Sequence, residues 1–214
     1  RLCHTRPGAG KAPAGGIARG PAMKKKSQIL AICLILALSL CLISCSIRTS
    51  STDIVASVGS VSISRQELSQ AVDAQKYILQ KSDSKAAVDS SQVLDDLITN
   101  EIIRQFAQRE GLALNEAEIE SIRQAQEETY CMMEEAFKTG SEDEKKYAEL
   151  AMENLQEMAD VYGVTLEEYQ ALCVDSLVLS EERSRLVEKK FHGDSAALME
   201  YIKNSYEEFS VSIQ

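Results

Sequence analysis

Beyond residue 64 the chain has no proline and only four glycines, and each glycine is followed within four residues by a side chain that starts helices: Gly111 by Asn115, Gly140 by Ser141, Gly163 by Thr165 and Gly193 by Asp194. Glycine fits the left-handed position at which helices end, and a Ser, Thr, Asn or Asp oxygen accepts from the N–H groups left open at the next start. Ser64 with Glu67, Ser141 with Glu144, Thr165 with Glu168 and Asn115 with Glu118 also have the spacing of a capping box, in which the third helical residue reaches back to the cap. This punctuation predicts helices over 65–80, 90–110, 116–139, 142–162, 166–191 and 195–208.

Apolar spacing agrees with those limits. Leu68, Ala71, Val72, Ile78 and Leu79 follow the helical period, and so do Tyr147, Leu150, Ala151, Leu155, Met158, Ala159 and Tyr162, which predicts one core-facing stripe on each helix. Val93, Leu94, Leu97, Ile98, Ile102, Ile103 and Phe106 form a stripe too wide for one contact face, so the second helix is the predicted hub. At the ends the period changes to two. Ile54, Ala56 and Val58 precede Gly59-Ser60, and Val61 and Ile63 follow it, the pattern of a hairpin whose glycine supplies the positive φ of a type II′ turn. Phe209, Val211 and Ile213 alternate with polar residues and predict a terminal strand that pairs with the hairpin. The expected fold is mainly α: about six helices plus a small β element formed by the N-terminal hairpin and the C-terminal strand.

What precedes this body reads as an export signal. Met23 is followed by Lys24, Lys25 and Lys26, then by an apolar run from Ile29 to Ile43, and Leu42-Ile43-Ser44-Cys45 has the small-residue-then-cysteine pattern of a bacterial lipoprotein cleavage site. The predicted organisation is a disordered leader or misassigned start over 1–22, a signal peptide over 23–44, a Ser/Thr-rich tether over 45–52 and a folded body over 53–214, with Cys45 as the lipidated residue. An uncleaved membrane anchor is the alternative, because the stretch to Ile47 is nearly uncharged and about 20 apolar residues span a bilayer. Both readings leave the lysines inside and the body on the extracytoplasmic side of the cell membrane. For residues 1–22 the alternative is a genuine basic arm.

Charge narrows the partners. Seven of the 23 basic residues precede Cys45 and every acidic residue follows it, leaving 16 basic against 33 acidic residues, a formal charge of −17 where the whole chain carries −10. Nucleic acid is therefore not an expected partner, since phosphate binding needs a basic face. Anionic lipid would repel such a body, so the membrane is expected to hold it through lipid on Cys45. No metal and no cofactor is expected: His192 is the one histidine after the leader, and Cys131 and Cys173 complete a thiol and imidazole inventory too small for a zinc site. Those two cysteines sit in apolar helical contexts where thiols are favoured over a pair. Asp95-Asp96 and Glu167-Glu168 point about 100° apart on their helices, so neither pair converges on one substrate atom, and solvated faces are expected. His192 lies beside Gly193 with no positioned nucleophile or acid in sequence reach.

The segment Ile54-Val55-Ala56-Ser57-Val58-Gly59-Ser60-Val61-Ser62-Ile63-Ser64-Arg65-Gln66-Glu67-Leu68 resembles the opening of the N-terminal chaperone domain of SurA- and PrsA-type extracytoplasmic foldases, usually Val-Ala-x-Val-Asn-Gly-x-x-Ile-Thr-x-x-Glu-Leu. Val93 to Glu101 with Ala107, Gly111-Leu112 and Glu116 to Ile119 is similar to that family's hub and exit, and Gly163-Val164-Thr165-Leu166-Glu167-Glu168-Tyr169 resembles its later Gly-Leu-Thr-x-Glu-Glu-Phe element. Gly59-Ser60 stands where the family has Asn-Gly, and Ser62 where proline is common. The resemblance spans about 53–213 and carries no catalytic motif. Isomerase members continue into a parvulin domain with histidines and a glycine-rich signature, whereas the body up to Gln214 has one histidine, His192, and no such signature. The resemblance thus implies holding of unfolded or exported polypeptides without prolyl isomerase activity.

A holding surface needs adaptable, accessible apolar groups, which methionine supplies. Met132, Met133 and Phe137 are the candidate client-binding residues. Tyr130, Met133 and Phe137 share one helix face, and Cys131, Met132 and Met133 fan over roughly 200°, which leaves Met132 the best candidate for exposure. The competing reading buries this helix on two sides and makes these residues core fillers. The alternative function, from a different class, is a structural or assembly lipoprotein that binds one specific envelope partner through its helices.

Overall fold

The structure, a computed structural model, describes residues 53–82, 84 and 86–214. The chain runs β1 (Ile54–Val58), β2 (Val61–Ser64), α1 (Arg65–Lys81), α2 (Ser90–Arg109), α3 (Glu116–Thr139), α4 (Glu142–Tyr162), α5 (Leu166–Lys190), α6 (Ser195–Asn204) and β3 (Val211–Ile213). The fold is mainly α with one small antiparallel sheet, as expected.

The helix limits follow the predicted punctuation because each is written in local hydrogen bonds. Asn115, Ser141 and Thr165 cap α3, α4 and α5, and all three have both halves of the capping box in place. Ser64 does the same for α1: its hydroxyl accepts from the Glu67 N–H at 3.1 Å while its own N–H donates to Glu67 Oε2 at 2.7 Å. As Ser64 is also the last residue of β2, the box sets the angle at which α1 leaves the sheet. Asp89 and Asp194 cap α2 and α6. One predicted stop works differently. Gly111, Gly163 and Gly193 take positive φ, but Gly140 is extended at φ −70 and ψ 170. Gly140 is required by closeness instead: a Cβ there would lie 2.4 Å from the Ala136 carbonyl oxygen and 2.9 Å from Glu144 Cβ, which lets α3 turn into α4 over two residues. α6 ends at Asn204, short of the expected 208, and residues 206–210 form turns.

Gly59 turns the hairpin at φ +58. β1 lies between β2 and β3 in the order β2-β1-β3, so both of its edges are paired. Val58 pairs with Val61 on one side and with Val211 on the other. The register slips between Ile54 and Ala56, a bulge that turns Val55 inward beside Ala56, so Ile54 is only half-buried and the alternation expected for this strand is broken at its start. Phe209 is buried but precedes β3, with Ser210 at φ +51 making the corner.

α2 is the hub. Val93, Ile98, Ile102 and Ile103 are fully buried among Val58 and Ile63 of the sheet, Ala71 of α1, Leu186 of α5 and Leu198 and Ile202 of α6. A second cluster joins Ala74 of α1 to Met158, Ala159 and Tyr162 of α4 and to Tyr169, Leu172 and Cys173 of α5. A third, small one sets Leu114 with Val174 and Val178 against Ile119 and Ile122 at the start of α3.

Candidate functional site

α3 is 24 residues long, and none of them is buried. At the helical rise of 1.5 Å it extends about 36 Å, and near its start it meets the body through Ile119 and Ile122 and through Glu118, 2.7 Å from Arg185 of α5. α4 folds back on α3 through Gly140-Ser141 and enters the body with Met158, Ala159 and Tyr162, tied there by the Tyr77 hydroxyl and by Lys81, 2.6 Å away, both on Glu157. Together α3 and α4 make a two-helix arm, and among the described residues no hydrophobic core cluster reaches its turn end.

That geometry overturns part of the α4 stripe. Ala148 and Ala151 are buried, but Tyr147 is 61% exposed and Leu150 46%, although both fall on the predicted core period. Periodicity places them toward whatever lies across α4, and near the arm's turn that is α3 alone among the described residues. Among the described residues six large apolar side chains are exposed, and five are on the arm: Met132, Phe137, Tyr147, Leu150 and Met152, the sixth being Ile213. Scattered single exposures are ordinary on a protein surface, but this concentration within about three turns of one corner is not. Met132 is 57% exposed, as expected from its direction; Phe137 is exposed as well, and Met133 is half-buried. Reasoning from the residues missed Tyr147, Leu150 and Met152. The available signal was the band of charge around them, Glu142 to Lys146, Glu149 and Glu153, which leaves no wide apolar face on that half of α4.

The carboxylate pairs do not converge on one point. Asp95, Glu167 and Glu168 are exposed, and Glu168 is engaged in the α5 cap, with the Thr165 N–H holding its carboxyl below the usual range. Asp96 departs from the expected solvated face: it is half-buried, and that burial raises its carboxyl despite the Arg183 guanidinium nearby. His192 is exposed just past α5, at φ 51. Cys173 is a buried thiol, whereas Cys131 is disulfide-bonded, so the expectation of a thiol holds at 173 and fails at 131. Among the described residues no group of three or more His, Cys, Asp or Glu side chains is arranged to hold a metal ion, and no helix is long and apolar enough to cross a membrane. Cys45 and the predicted leader, signal peptide and tether lie outside the described residues.

What the arm offers is contact: adaptable apolar groups held apart from the core on a two-helix support. No curated protein and no solved structure matches the chain. Residues 21–151, more than half of the 214, match the family described as the SurA-like N-terminal domain, a match that covers the hairpin, α1, α2, α3 and the turn end of α4. The chain belongs to that SurA-like N-terminal domain family, the non-catalytic, chaperone-like part of such foldases.

Proposed function

We propose that this protein is a lipid-anchored extracytoplasmic holdase, held to the cell membrane through Cys45 and binding unfolded exported polypeptides on the α3–α4 arm without isomerising their prolines. Family membership supports polypeptide binding in general. The observation that carries the arm's role is the clustering of Met132, Phe137, Tyr147, Leu150 and Met152 in solvent. Burying an apolar side chain of this size contributes about 1.5–3 kcal/mol when complete, and these are 40% to 61% exposed, so a client covering several of them is held with useful but reversible affinity. Methionine adapts to differently shaped clients.

The purified chain should slow aggregation of a chemically unfolded client at near-stoichiometric ratio. Replacing Met132, Phe137 and Leu150 together with serine should weaken that protection severalfold while leaving the melting curve in place, because none of the three is in the core. Unchanged protection by the triple variant would remove the arm from the reading, and no protection by the wild-type chain across several clients would remove the holdase. Crosslinking in cells separates it from an assembly lipoprotein with one partner, which would give a single dominant band. Mass spectrometry of the mature N-terminus, with diacylglyceryl on Cys45 as the expected result, tests the anchor.

A further inference from the structure

The arm is acidic as well as apolar. Between Glu116 and Tyr162 the chain has fourteen acidic and four basic residues. Three of the four basic ones are already engaged locally, Arg123 with Glu120, Lys138 with Glu134 at 3.2 Å and Lys145 with Glu142 at 3.4 Å. Glu118 and Glu157 are held by Arg185 and Lys81 at the base. Glu127, Glu128, Glu135, Glu149 and Glu153 are exposed and face no cation within ion-pair distance among the described residues. They are interleaved with the apolar groups. Residues three or four apart on a helix are surface neighbours, so Glu128 and Glu135 flank Met132, Glu153 flanks Leu150 and Glu149 flanks Met152.

We propose that the arm selects client segments in which apolar or aromatic residues alternate with lysine or arginine. This rests on the holdase reading and names the chemistry of its clients. A chain that covers Met132, Leu150 or Met152 must bring its own neighbouring side chains within a few ångströms of these carboxylates. At physiological ionic strength the screening length is about 8 Å, so the charges around each apolar group act on the client as a set. Basic side chains meet them favourably and supply long aliphatic stems for the apolar contact; acidic ones are repelled. The same argument disfavours a second copy of the chain as occupant, since two such arms repel each other, and disfavours an anionic lipid surface.

The test uses the full chain and three fluorescent unstructured peptides of identical apolar content, with lysine, serine or glutamate at the intervening positions. The lysine peptide should bind at least tenfold more tightly than the glutamate peptide at 50 mM salt, with the gap closing severalfold at 300 mM. Charge reversal of Glu127, Glu128, Glu149 and Glu153 to lysine should invert the order; lysine is as good a helix former as glutamate. Should that variant not fold, the salt series on the native chain makes the same discrimination. Equal binding of all three peptides overturns the selection and leaves the holdase standing. Binding of none, with client aggregation unaffected or with the chain found self-associated through the arm, overturns both.

Discussion

Glu182, on α5, is 6% exposed; one carboxylate oxygen accepts from the Leu114 N–H at 3.3 Å and the other has no hydrogen-bond partner among the described residues. Burial pushes its carboxyl above the usual range, as it does those of Glu101 on α2 and Asp175 on α5, and Arg104 works against the shift at all three. A carboxyl raised in the folded state holds its proton there at pH values where the unfolded chain has released it. Stability therefore falls as pH rises from the ordinary carboxylate range through the raised value, and the deficit persists at neutral pH. Glu182→Gln, which keeps an acceptor for Leu114, should raise the denaturation midpoint at pH 7.5, with the gain vanishing near pH 3; a gain that is the same at both pH values would contradict this account. Nothing in the run Ser180-Glu181-Glu182-Arg183 marks Glu182 apart from its neighbour, which is exposed. What separates them is the helix face: Glu182 shares the face of Val178, Leu179 and Leu186, which packs inward.

At the scale of elements, α2 and the outer half of α4 are opposites, although both carry apolar residues at helical spacing. Ile102 is fully buried in the main cluster, so Ile102→Ala should cost about 2–5 kcal/mol in urea denaturation. Leu150→Ala, on the arm, should stay within about 0.5 kcal/mol, as surface changes do. A large loss from Leu150→Ala would mean that the arm is part of the core. Helix limits were legible because a capping box involves residues three apart and little else: four of four proposed boxes form, and five helix ends fall within about one residue of expectation. The exception, α6, ends early because Ser205 bonds back to Ile202 and the chain must turn to bring Phe209 inward.

For the whole molecule, the decisive joint is where its ends meet. The Gly59 N–H donates to the Phe209 carbonyl at 2.9 Å and the Gln214 N–H to that of Val55 at 3.0 Å. Phe209 packs edge-on to Phe106, and the Arg109 guanidinium lies 5.0 Å and 4.8 Å from the centres of the two rings while binding Glu208 and the Tyr201 hydroxyl. Phe209→Ala should cost about 3–5 kcal/mol and, in hydrogen exchange, expose β3 and the Gly59 turn together. Loss of protection in β3 alone would show that the tail is not what closes the sheet.

The amino-acid sequence alone determined where most helices start and stop, that the folded body begins and ends in strands, and which helix is apolar around most of its circumference. All of these depend on interactions between residues a few positions apart or on composition within one element. The tertiary structure decided that β1 is the central strand, that Glu101 and Glu182 are buried, and that one stripe on α4 divides into a covered half at Met158 and Tyr162 and a bare half at Tyr147 and Leu150. Periodicity says which way a side chain points; whether it meets protein or water depends on how far the neighbouring helices reach, and that is set by residues distant in the chain.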